Sequence, residues 1–264
     1  MHARGNYLSL LLLCELSLVL VASLIPYEIA RRLMVALALL SPLLLLRRAP
    51  GGTPRPILLP PSRRSLSLLL LLPAFVLTIL GVSYAWGWLA ALIGLDLKGA
   101  TPLSSLPLAL LFDALLTAVC EEIFCRGAIY TCLRPLGRRT AVFISALIFA
   151  LMHANLAQIP YAFVAGLLLA GLYELSGCLL LPMLFHFATN ALSLLLMNGL
   201  AFDATVAVLT ALSVVSGGIL ILLRRCCLPR IPTDVPLPAR EAYRALASPA
   251  LLFWLLCILI LTIP

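Results

Sequence analysis

Apolar residues follow one another along this chain in long runs, and short polar clusters separate the runs. The breaks fall at Arg47 to Arg64, Asp96 to Pro102, Arg134 to Arg139, Asn155 to Pro160, Glu174 to Gly177, Asn198 to Asp203 and Arg224 to Arg244. Between them the pattern predicts helices over roughly 7–25, 28–46, 65–94, 104–133, 140–155, 159–175, 178–198, 204–223 and 248–263. Many of these approach or exceed the ~20 residues that carry a helix across a ~30 Å hydrocarbon core. Ten-residue segments of alternating polarity, the mark of a membrane β-barrel, do not occur. The expected fold class is therefore all-α, a polytopic transmembrane helical bundle of eight core helices with a possible ninth. No internal repeat and no soluble segment interrupts it, so 1–264 is expected to form a single integral membrane domain. The first run, through Ser23, is long and is followed by no small-x-small cleavage site, so it is expected to stay as the first membrane helix.

Composition agrees with a bilayer as the solvent: 63% of the 264 residues are hydrophobic and 11% charged, against about 25% charged in soluble domains. The net charge of +8 does not point to nucleic acid, because the basic residues sit in separate loops rather than on one face. Arg47, Arg48, Arg55, Arg63 and Arg64 share one loop, Arg134, Arg138 and Arg139 a second, and Arg224, Arg225, Arg230, Arg240 and Arg244 a third. Counting helices puts all three on one side, which the positive-inside rule makes cytoplasmic. Arg31 and Arg32 fall on the opposite side and leave the first hairpin as the exception. The cysteines at 14, 120, 125, 132, 178, 226, 227 and 257 form no pair of CxxC units and lie mostly within helices, so they read as small apolar core residues. Cys226 and Cys227, beside Arg224 and Arg225, are placed where acylation occurs, but the same bland reading covers them.

Three groups of polar residues remain inside the apolar runs. Glu121, Glu122 and Arg126 lie within DALLTAVCEEIFCRGAIY, and a carboxylate deep in a membrane helix is costly unless it is paired or faces a polar cavity. Glu122 and Arg126, four apart, can pair on one face, while Glu121 points about 100° away. His153 follows on the next helix, in SALIFALMHANLA. Glu121 and His153 are almost equally far from the turn at Pro135 to Arg139, so an antiparallel hairpin brings both to one depth, roughly 20 Å from the helix ends. His186 and Asn190, again four apart in LPMLFHFATNALS, share one face of the seventh helix, and Asn190 reaches a similar depth at about 18 Å. Each group alone reads as readily as helix-packing glue. Together, at one depth, they offer a base, a water-positioning partner and donors for a developing oxyanion.

The order Glu-Glu-x-x-x-Arg, Phe-x-x-x-His, His-x-x-x-Asn resembles the CAAX protease and bacteriocin-processing (CPBP, Abi) family, which includes the type II CAAX prenyl endopeptidases. The motifs read Glu121-Glu122-Ile123-Phe124-Cys125-Arg126, Phe149-Ala150-Leu151-Met152-His153 and His186-Phe187-Ala188-Thr189-Asn190. The resemblance implies an eight-helix intramembrane core, with the motif-bearing part at about 104–200, and a glutamate-type peptidase needing no cofactor. It implies Glu121 as general base, His153 as its partner on the water, and His186 and Asn190 as donors to the oxyanion. Glu122, Arg126 and Phe149 would support the site. The partners expected are the bilayer and a membrane-embedded or lipidated peptide substrate. The expected location is multi-pass in a bacterial cytoplasmic membrane, basic loops inward.

Two other readings compete. Glu121, His153 and His186 could ligate zinc and leave an open position, although no HExxH occurs and the two histidines sit on different helices. Alternatively the buried ion pair serves structure alone, in a transporter or a non-catalytic immunity or regulatory protein. Paired repeats and interrupted helices would favour transport, and neither is visible.

Overall fold

The computed structural model describes residues 2–45, 66–97, 99, 101–197, 208, 211, 212, 215–218 and 249–262, and these are almost entirely helical. α1 (His2–Ser23) and α2 (Glu28–Leu45) form a hairpin turned at Pro26, and Glu28 in the first turn of α2 complements the helix dipole. α3 (Leu68–Leu92) opens with a 3-10 turn ahead of Pro73 and ends where Gly94 takes φ +72°. α4 covers 106–133 without a break but alternates in pitch, because Leu110–Leu116 and Ile123–Tyr130 are π-helical and flank an α-helical Thr117–Glu122. The wide turns are tied by hydroxyls reaching five residues back, Thr117 to the Phe112 carbonyl and Thr131 to the Arg126 carbonyl.

A 3-10 turn (Arg134–Leu136) and Gly137, at φ +101°, reverse the chain into α5 (Arg138–Leu151). α6 (Ile159–Ser176) closes on left-handed Gly177, whose N–H bonds the Tyr173 carbonyl. α7 (Leu180–Met197) and α8 (Pro249–Thr262) complete the described elements. The helix expected at 204–223 and the arginine loops at 47–64 and 224–244 lie largely or wholly outside the described residues.

Among the described residues, four stretches, Asn6–Ser23, Leu68–Leu92, Ile159–Ser176 and Leu180–Met197, are long and apolar enough to cross a membrane. One continuous core runs from Leu11 and Leu12 of α1 through Phe75 of α3, Phe124 of α4, Phe149 of α5 and Phe185 of α7 to Trp254 of α8. Outside it, Leu37, Leu70, Trp88, Leu92 and Phe253 turn large apolar surfaces outward, which hydrocarbon accepts and water does not.

Ion clusters hold the two ends of α4. At one end Asp113 pairs with Arg32 of α2 and accepts the Leu103 N–H, while Arg32 also donates to the Thr101 carbonyl. Arg32, one of the two exceptions in the charge pattern, is thus neutralised by an acid on a neighbouring helix. At the other end Glu174 of α6 accepts from Tyr130 and Arg134 and contacts Arg138 at 2.8 Å.

Candidate active site

Between these clamps, where α4 is α-helical, Glu121 and Glu122 enter the core. Glu122 and Arg126 are both fully buried and form an ion pair at 2.8 Å. An isolated buried charge is far costlier than a paired one, and Arg126 is held three ways: by Glu122, by a 3.1 Å hydrogen bond to the Gly166 carbonyl, and by the Phe149 ring 4.5 Å below the guanidinium. The Gly166 contact depends on a close approach of α5 and α6. A Cβ at Gly166 would lie 2.9 Å from Ala146 Cα, so the backbones meet where a side chain would part them.

His186 comes in from α7, and its Nδ1 lies 2.9 Å from Glu122 Oε1. That oxygen therefore receives both the guanidinium and the imidazole. A carboxylate beside a guanidinium is an acceptor, so Nδ1 carries the proton and the neutral ring keeps its lone pair on Nε2. Nε2 lies 3.8 Å from Glu121 Oε2, too far for a direct hydrogen bond. Glu121 Oε2 and Glu122 Oε2 are both buried without a hydrogen-bond partner.

His153 stands just beyond the end of α5, which stops at Leu151 rather than continuing to residue 155. Ala154 takes φ +45°, and the Asn155 side chain accepts the Ala157 N–H, which turns the chain where a helix was expected. The His153 ring bonds the Phe149 carbonyl through Nδ1 at 2.7 Å, so its Nε2 also carries the lone pair in the neutral form. The Phe149 ring, buried beneath, meets the edges of both imidazoles, at 5.1 Å for His153 and 5.7 Å for His186. Asn190 follows one turn after His186 on α7 and is half-buried.

Glu121, Glu122, Arg126, Phe149 and His186 thus form one connected cluster, His153 joins it through Phe149, and Asn190 stands one turn away. Among the described residues no group of three or more His, Cys, Asp or Glu side chains is arranged to hold a metal ion.

The comparison with known families falls on this segment. Residues 103–192 match the family described as type II CAAX prenyl endopeptidase Rce1-like, and they contain all three motifs. Over that segment the chain is similar to the CAAX prenyl endopeptidases. Searches of curated proteins and of solved structures returned no match. The matched family is one of endopeptidases, and the helices long and apolar enough to cross a membrane that accompany the matched segment suit an integral membrane protein.

Some polar residues around the matched segment escape the motif reading. Glu15, in the middle of α1, is buried and accepts the indole N–H of Trp254 at 3.0 Å, and it lies within electrostatic reach of Glu121. The rule that singles out Glu121, an acid inside an apolar run, would have found it in LLLCELSLVL. Trp86 of α3, which donates to the Leu156 carbonyl at 3.0 Å, gives no such signal in the sequence.

Proposed function

We propose that this chain hydrolyses a peptide bond of a membrane-associated or lipidated peptide or protein, with Glu121 as the general base. The observation carrying this reading is the Glu121 carboxylate itself: buried, with one oxygen lacking any hydrogen bond, and 3.8 Å from an imidazole nitrogen. Structural ion pairing accounts for Glu122 and Arg126 but leaves Glu121 without a purpose. A water molecule held between Glu121 and His153 Nε2 would donate one hydrogen to each, since both are acceptors.

In the reaction the water oxygen bonds to the scissile carbonyl carbon as its proton passes to Glu121. The carbonyl oxygen becomes an oxyanion that accepts from the Asn190 amide and from His186 Nε2–H. With His186 Nδ1 donating to Glu122, the ring serves as an oxyanion donor in the form that also carries a proton on Nε2. When the carbon–nitrogen bond breaks, the proton on Glu121 goes to the leaving amine. The matched family is described as CAAX prenyl endopeptidases, and a lipid-anchored peptide is the substrate class a site at this depth would receive from the bilayer.

The test is comparative proteomics of membranes from cells carrying the wild-type protein and Glu121→Gln, with and without a chelator. A shortened peptide present only with the wild-type protein, and unaffected by the chelator, is expected. Identical peptide profiles would leave the chain as a non-catalytic member, and loss of cleavage on chelation, with recovery on adding zinc, would move the mechanism to a metal.

A further inference from the structure

We infer that Trp86 is a positioning residue for His153, acting through the backbone turn that carries it; this rests on the role proposed for His153. α5 has 14 residues, about 21 Å of helix, which is shorter than the ~30 Å hydrocarbon core. It starts at Arg138, in the Arg134, Arg138 and Glu174 cluster suited to a headgroup region, so its far end and the turn over 152–158 lie within the depth of the bilayer. Irregular backbone at that depth persists only where protein or an internal water satisfies its polar groups.

Most of the turn is satisfied locally. The Ala154 N–H bonds the Leu151 carbonyl at 2.9 Å, the Gln158 N–H the Asn155 carbonyl at 2.9 Å, and the Ala157 N–H the Asn155 side chain. Such bonds shape the turn but do not anchor it to the rest of the molecule. The Leu156 carbonyl is different: it takes its hydrogen from the Trp86 indole, seventy residues away on α3, at 3.0 Å. The turn also contains Ala154 at φ +45°, directly after His153. A residue with a Cβ adopts that conformation rarely and keeps it when the surroundings impose it. Without the indole N–H the Leu156 carbonyl has no partner at membrane depth, and the readiest response is for the turn to move toward one, relaxing Ala154 and displacing His153.

The experiment uses the full-length protein in nanodiscs and two changes at position 86: Trp86→Phe, and replacement of the indole by its benzothiophene isostere, which removes the N–H at nearly constant shape. Three readouts are taken: hydrogen exchange over 152–158, the ring nitrogen signals of the histidines, and kcat and KM on a cleaved substrate. With three histidines in the chain, His153 is assigned from its loss in His153→Gln. Both replacements are expected to speed exchange in the turn about tenfold, shift or broaden the His153 signal while sparing His186, and lower kcat about tenfold with KM unchanged. The isostere decides the matter if the phenylalanine variant folds poorly. An unchanged His153 signal and unchanged exchange with the isostere overturn the inference whatever happens to turnover. Should wild-type protein cut no substrate while the signal and exchange move as expected, the peptidase reading fails and the positioning by Trp86 stands.

Discussion

Glu122 Oε1 receives both Arg126 and His186, so the ion pair that stabilises the core also orients a ring of the proposed site. Removing one partner of a buried pair strands the other charge at a cost of about 3–5 kcal/mol, whereas replacing both by neutral groups of similar volume is often tolerated. Arg126→Ala should therefore lower folded yield and melting temperature, and Glu122→Gln combined with Arg126→Met should recover much of the loss, because the glutamine carbonyl still accepts from His186 Nδ1. Thermal melts in detergent of the three proteins check this, and a wild-type melt for Arg126→Ala would refute it. The roles proposed for Glu121, His186 and Asn190 separate kinetically. Glu121→Gln keeps its shape but cannot take a proton, a loss of about 10²–10⁴-fold. Asn190→Ala should lower kcat somewhat less, roughly 10²-fold, with little change in KM, since an oxyanion donor acts on the transition state. His186 and Asn190 as joint donors should show a double mutant less damaging than the sum of the two in free energy. Full additivity, or a rise in KM alone for Asn190→Ala, would make Asn190 a substrate-binding residue.

At the scale of elements, the sequence pattern located the described helices and most of their ends, but not the local pitch of α4 or the early end of α5. The two π-helical stretches of α4 carry no signal in apolar periodicity, since every position there is bounded by apolar neighbours on several sides. Their pitch is set by packing against α2, α5 and α7 and by the threonine bonds to carbonyls five residues back. The early end of α5 was half legible: Asn155 favours a turn, but left-handed Ala154 is not a preference of alanine. Close approach of α5 and α6 at Ala146 and Gly166 is likewise a tertiary fact. Gly166→Ala should force the two backbones apart and pull the Gly166 carbonyl from Arg126, at a cost of about 1–3 kcal/mol. A melting temperature that stays the same or rises in Gly166→Ala would show that the helices yield there freely. Gly171→Ala serves as the control, because a Cβ at Gly171 meets nothing within 4 Å.

Across the whole molecule, the arginine-rich loops and the ion clusters at the two ends of α4 give a topology that can be tested. Reporters fused after Arg64, Arg139 and Arg230 should score cytoplasmic, and one near Gly99 external. The pairing of Arg32 with Asp113 predicts that Asp113→Ala, by freeing that cation, weakens the orientation of the first hairpin, read by a reporter between α1 and α2. An external score at Arg139 would reverse the orientation of the whole site. By itself the sequence determined that the chain lives in a bilayer, where most of its helices begin and end, and which acids, histidines and asparagine stand apart from their apolar surroundings. Those follow from local composition and from the length a helix needs to cross hydrocarbon, which neighbours along the chain settle. What tertiary structure alone decided is who partners whom across helices: that His186 lies near Glu121, that one Glu122 oxygen serves two donors, that Glu15 meets Trp254 across 239 residues, and that Trp86 reaches the turn behind His153. In hydrocarbon every polar group must find a partner within the protein, and spacing along the chain does not specify partners that lie on other helices.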